Sequence, residues 1–285
     1  MAQAGSRFRR AVLGLQHHSS RQGLSIAVDV ARLLGLDLFG LFVEDESLMH
    51  LAALPFCREF NPLGGWRAVD AAQLVRDLQA AASSAQRSFA AAAKGLPTSC
   101  EFVTMRGSMA AAISSHARAD DMVVLSAPSA VGEYAAEAFP LLIDTALSSA
   151  AGVLLVPRRI ARQLGDVVAI ATRSDDPSIH VAAGIARAAN AELVIIELFD
   201  AEGADRSGPP EDRRATRKLA RATDPALMLA AFRGERERLV VVTQGASAAS
   251  LPTIVASWRR VPVLVVAAAK QAPAEAAAAR DGAAP

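Results

Sequence analysis

The sequence predicts an α/β fold in two successive copies, each a mainly parallel five-stranded sheet covered by crossover helices. Three observations predict it. Strand-length apolar runs alternate with segments whose apolar residues recur at helical spacing, which is how βαβ units read. The alternation restarts near residue 165. A chain of 285 residues, 52% of them hydrophobic, also has the length for two ordinary domains and the apolar material for both cores.

In the first copy "RRAVLGLQ" is a short apolar strand, and Leu24, Ala27, Val28, Ala31 and Leu34 then fall on one helical face. "DLFGLFV" is strand-like again and closes one βαβ unit. A polar, irregular insertion runs from Glu44 to Trp66, with a short amphipathic helix near its start. The alanine-rich stretch Asp70 to Lys94 predicts a long helix, Ser99 to Met105 a strand, and Met109 onward a helix. Met122 to Leu125, a helix near Ala136 to Ser149 and the fifth strand "GVLLVP" complete the copy. Apolar runs without alternation fit parallel strands covered on both faces.

The second copy opens with "VVAIATRSDDPSIHVAAGIARAANAELVIIELFD". Ala31-Arg32 and Asp37-Leu38 align with Ala186-Arg187 and Glu192-Leu193, and "MAAAISSHARADDMVVLS" (109 to 126) aligns without a gap with "ALMLAAFRGERERLVVVT" (226 to 243). The second copy is thus about 38 residues shorter before its fourth strand, and about 7 shorter after it. A linker rich in charge, Gly and Pro, "DAEGADRSGPPEDRRATRK", takes the place of the insertion and most of the long second helix. One side of the second sheet is expected to be thinly covered by its own helices, so that the first domain or a second chain must cover it. The domains are placed at residues 9 to 158 and 165 to 269, with a flexible N-terminus at 1 to 8 and a disordered tail at 270 to 285.

Composition excludes several classes of function. A formal charge of +1, from 30 basic and 29 acidic residues, leaves no global field for nucleic acid or an anionic membrane. The longest apolar run, Val261 to Ala269, is about half a membrane span, and "MAQAGSRFRR" is unlike a signal peptide, so a cytoplasmic protein is expected. The two cysteines, Cys57 and Cys100, read as small buried thiols. None of the five histidines has a second ligand type at metal-binding spacing, and no metal site is expected.

With two such copies, "VTMRGSMAAAISSHARADDMVVLS" and the alanine-rich first helix, the chain resembles a tandem universal stress protein over residues 9 to 158 and 165 to 269. The resemblance implies two Rossmann-like, adenine nucleotide α-hydrolase-like domains arranged as a pseudo-dimer through their fifth strands. ATP-binding members of that family carry G-x2-G-x9-G-[ST] after the fourth strand. Here the matching positions are Ser126, Ser129 and Phe139-Pro140: the spacing is kept and every glycine is replaced. A phosphate needs exposed backbone N–H groups and a free helix N-terminus. Pro128 and Pro140 have no N–H, and Phe139 is bulky where the backbone should be bare. In the second copy Thr243 and Ala246 replace the first two glycines, and the rest of the segment is missing. The acidic residue that the family places after the first strand falls at Gln16 and Thr172, both neutral.

The resemblance therefore implies a non-enzymatic protein of stress response or its regulation that acts through protein contacts, with no cofactor and without ATP or AMP. Its protein partner is unknown; a further homodimer is compatible with it. The alternative is a sensor of a nucleotide or other small ligand, using an altered first-domain pocket of Gln16, His17, Gly107, Ser126, Ser129 and Gly132. Hydroxyls at the old glycine positions still offer donors to a smaller anion. An enzyme needs a base and usually a metal in a convincing arrangement, and none is found. His17 and His18 read as an exposed loop pair, Gly107 as a turn glycine, and Glu44, Asp45 and Glu46 as helix-start acids favoured by the dipole. Leu48, Leu51, Ala52, Leu54 and Phe56 form either a docking segment or core cover, and Trp66 and Trp258 read as packing residues.

Overall fold

The structure, a computed structural model, describes residues 7–16, 21–61, 64–127, 138–161, 164–199, 215–221, 232, 236–245 and 251–268. Its strands are β1 (Arg10–Leu15), β2 (Asp37–Asp45), β3 (Arg58–Asn61), β4 (Gly65–Ala68), β5 (Cys100–Gly107), β6 (Asp121–Ser126), β7 (Gly152–Val156), β8 (Asp166–Ala171), β9 (Leu193–Phe199), β10 (Ala215–Arg221), β11 (Glu237–Thr243) and β12 (Val263–Val266). Its helices are α1 (Arg21–Leu34), α2 (Glu46–Ala52), α3 (Ala71–Ala93), α4 (Met109–His116), α5 (Ala138–Ser149), α6 (Pro177–Ala189) and α7 (Leu251–Arg259).

Ten strands form one sheet in the order β10-β9-β8-β11-β12-β7-β6-β1-β2-β5. Within β5-β2-β1-β6-β7 and within β10-β9-β8-β11-β12 every pairing is parallel, and both halves run outward from their first strand in the same way. The halves meet through their fifth strands, β12 antiparallel to β7, with Val263 opposite Leu155 and Val265 opposite Val153. This is the pseudo-dimer of two five-stranded domains that the sequence predicts.

Helices cover both faces. On one face Val12, Val123, Val153, Val168, Val240 and Val263 lie under α4, α5 and α7. On the other Leu13, Val124, Leu154, Ala169, Val241 and Leu264 share a cluster with α1, α3 and α6. That second cluster runs unbroken across the junction: Leu24, Val28 and Ala31 of α1 belong to it together with Ala182, Ile185 and Ala186 of α6. Of the two covers expected for the shortened second half, the first half supplies one, because α1 packs beside α6. Arg7 and Phe8, placed by the sequence in a leading segment, join the fold: Phe8 is buried, and Arg7 donates to the Ala267 carbonyl at 2.7 Å.

Three expectations are corrected. The insertion is not irregular after α2, since β3 and β4 form an antiparallel hairpin separate from the main sheet. The end of the expected linker, from Ala215, belongs to β10, which hydrogen-bonds to β9 as the outer strand of the second half. The thiols are not both buried: Cys100 is exposed and Cys57 half-buried. Cys100 starts an edge strand with a largely uncovered outer side, and Cys57 lies between α2 and the hairpin. The tail from residue 269, and most of the segment aligned with the fourth helix, lie outside the described residues.

Gly165 shows how tightly the second half is entered. Its φ is +144°, and a Cβ there would run into the Arg236 carbonyl oxygen, so only glycine lets the chain pass into β8.

Candidate functional site

In a doubly wound sheet, ligands bind beyond the carboxyl ends of the strands, where strand order reverses. In the first half this crevice lies between β1 and β6, and in the second between β8 and β11. Gln16 directly follows β1 and Ser126 ends β6, so two of the sequence-selected residues flank the first crevice. Gly107 ends β5, three strand positions from β6, or about 14 Å at the usual strand spacing. The fold does not bring it to Ser126. Its φ of +133° and open surroundings fit the turn reading. His17, Ser129 and Gly132 lie outside the described residues.

At the second crevice the chain buries a carboxylate of its own. Asp176 is 2% exposed and caps α6, accepting from the Ser178 amide at 2.9 Å and from the Thr172 amide at 3.2 Å. The hydroxyl of Thr243, the last residue of β11, donates to the same carboxylate. The Ser178 hydroxyl bonds back to the Ile170 carbonyl at 3.0 Å. Burial alone pushes the Asp176 carboxyl upward, but the hydrogen bonds from Thr243, Ser178 and Thr172 outweigh it and hold the pKa below the ordinary aspartate range. The Ser178 amide at the start of α6 is thus taken by a side chain of the same chain. Neutral Thr172 is therefore not the whole story, because an acid four residues later enters the crevice. "DDPSIH" carries its local signal, an N-cap aspartate followed by proline at the first helical position.

In the first half, Phe139 is buried in the core beneath α5 and Pro140 stands in the first turn of that helix. The helix start lacks one amide, and the bulky side chain is committed to packing. Pro252 likewise removes an amide from the first turn of α7.

The insertion presents a different kind of surface. No residue of α2 is buried. Leu51, Leu54, Phe56, Phe60 and Trp66 are all exposed, the last three by 77%, 59% and 67%. Phe60 and Trp66 pack edge to face at 5.4 Å across the hairpin. Trp66 and Trp258 are not core packing residues: both are largely exposed, and the ring partner of Trp66 is the likewise exposed Phe60. The hairpin has no sheet beneath it, and Trp258 stands off the face of α7 that buries Leu251, Val255 and Ala256. Asp45 and Glu46 stand at the start of α2 as expected, whereas Glu44 belongs to β2 and turns to an arginine of β5. Glu44 pairs with Arg106 at 2.9 Å, Asp45 caps α2, and Glu46 approaches His50 at 3.7 Å. Among the described residues no cluster of His, Cys, Asp and Glu could hold a metal, and no helix is long and apolar enough to cross a membrane.

No family model and no curated protein matches the chain. Among solved structures, a universal stress protein from Archaeoglobus fulgidus DSM 4304 matches 93% of this chain and 99% of its own, with a TM-score of 0.64 at 15% identity. At that identity the likeness is one of fold: the chain has a universal stress protein-like α/β architecture.

Proposed function

We propose that this chain is a non-enzymatic, universal stress protein-like protein of the cytoplasm that serves stress response or its regulation through protein contacts and does not bind ATP. The observation that carries the proposal is the exposed apolar surface of the insertion, where Leu51, Leu54, Phe56, Phe60 and Trp66 stand on adjoining elements. Aromatic side chains left in water on a small independent element are typical anchors of a protein interface. The Asp176 carboxylate in the second crevice, and Phe139 with Pro140 in the first half, support the part concerning ATP. Losing two to four charge-assisted donors at about 1.5 to 3 kcal/mol each weakens triphosphate binding by several orders of magnitude.

Native mass spectrometry of the protein as purified tests both parts. The expected spectrum has no nucleotide adduct and contains a complex with a protein partner that the triple variant Phe56→Ser, Phe60→Ser, Trp66→Ser loses. Stoichiometric ATP or AMP, or a complex untouched by the triple variant, would overturn it. A second reading, a small-ligand sensor, rests on Gln16 and Ser126 flanking the first crevice. A thermal shift with a nucleotide or metabolite, removed by Ser126→Ala, would favour that reading.

A further inference from the structure

Where α1 of the first half passes α6 of the second, the structure contains a cavity of about 640 Å³ that extends to the start of α6, where Asp175 and Pro177 flank Asp176. That is the size of a small-molecule site. Its walls join chain segments distant in sequence: Arg7, the end of α1 with Arg32 and Leu33, and the α6 residues Val181, Gly184 and Ile185.

Two features mark it as more than imperfect packing. The first is the charge at its edge. Arg7 is half-buried, burial lowers its pKa, and the partner it has is a neutral carbonyl, that of Ala267. Its guanidinium fork retains donors suited to two oxygens of one carboxylate. Arg32 adds a second cation, 3.7 Å from Asp29, and the one carboxylate on the wall, Asp175, faces Arg173 at 3.4 Å. The second feature is Gly184. Glycine inside a helix lowers its stability relative to alanine, and here no packing demand explains it: a Cβ would meet no atom within 4 Å. The helix carries its least favourable ordinary residue at a point where the cavity is open.

From these residues we propose that the α1–α6 cavity binds an amphipathic carboxylate, its acid group on Arg7 and its apolar body along Leu33, Val181 and Ile185. An apolar amine would meet two guanidinium groups, and a fully polar anion would leave the apolar wall wet. The site is independent of the proposed protein contacts, which lie on the insertion.

Isothermal titration calorimetry of the full chain with dodecanoate tests it. One molecule is expected to bind per chain, and dodecyltrimethylammonium at least ~10-fold more weakly. Arg7→Gln is expected to weaken dodecanoate ~10-fold or more by removing the charge-assisted pair. Gly184→Leu fills open space on the exposed side of a helix and should block binding while circular dichroism remains that of the folded protein; Ala188→Leu, on the same wall, is the second blocking variant. Absence of binding overturns the proposal. So does binding that both blocking variants leave unchanged, which would place the ligand on another apolar surface such as the insertion.

Discussion

Each half carries a buried arginine–carboxylate clamp, at the opposite end of the strands from the crevices. Asp121 opens β6 and receives Arg10 through two bonds, at 2.7 and 3.1 Å, as well as the Arg118 amide at 2.7 Å. Glu237 opens β11 and receives Arg259 through two bonds, at 2.5 and 3.0 Å. Arg10 also lies over Phe39, and Arg259 over Phe232. Asp121→Ala would leave the Arg10 guanidinium desolvated and without its carboxylate. It is expected to cost about 3–5 kcal/mol in urea unfolding, and the double variant Arg10→Met, Asp121→Leu to recover much of that. Asp176 contributes in a pH-dependent way. Its folded pKa is lowered, so its stabilisation is complete above the ordinary unfolded value of about 3.9 and is lost as pH falls through the folded value. Asp176→Ala should therefore cost about 1–3 kcal/mol at pH 7, and progressively less as the buffer is acidified below that range. Equal destabilisation at all pH values would contradict this account. The lone sequence signal for Asp176 was its cap position; its partner Thr243 lies 67 residues away and reads in sequence as a replaced glycine. Only the parallel pairing of β8 with β11 brings the two together.

At the scale of elements, apolar runs announced the central strands β1, β6, β7, β8, β11 and β12 because those strands are buried on both faces. The long helix is legible to within a residue: Asp70 caps it and Lys94 closes it. The β3–β4 hairpin escaped because its strands are four residues long, show no apolar alternation and have no buried side chain among the described ones. For the same reason the exposure of Trp66 could not be read from its chemistry, which favours burial wherever a core lies beneath. β10 was hidden by charge, since Arg217, Lys218 and Arg221 make "ATRKLAR" look like linker. The insertion, with Phe56, Phe60 and Trp66 exposed, should carry little stability. Phe56→Ser, Phe60→Ser and Trp66→Ser are each expected to change unfolding free energy by no more than about 0.5 kcal/mol. A loss of 2 kcal/mol or more in calorimetry would mean that the insertion is part of the core.

At the scale of the whole molecule, the described residues form two core clusters, and each includes residues from both halves. Neither half can therefore unfold and leave the other's core intact. Hydrogen exchange of β1 and β8 amides is expected to report the same opening free energy, and denaturant unfolding to show one transition. Two separated transitions would show that the junction is only a docking contact. Each crevice follows from the strand order that the structure supplies, while Gln16 and Ser126 were legible in sequence as the residues at the ends of the first crevice's two strands. The α1–α6 cavity was not, because it depends on how the two halves sit against each other.

The antiparallel pairing of β7 with β12 has a last consequence. The partner edge is tethered through the short segment from Pro157 to Gly165, so its effective concentration is set by the tether and not by the abundance of the protein. An assembly of separate chains weakens on dilution, while this one keeps its ten strands at any expression level. The chain can remain assembled when it is scarce.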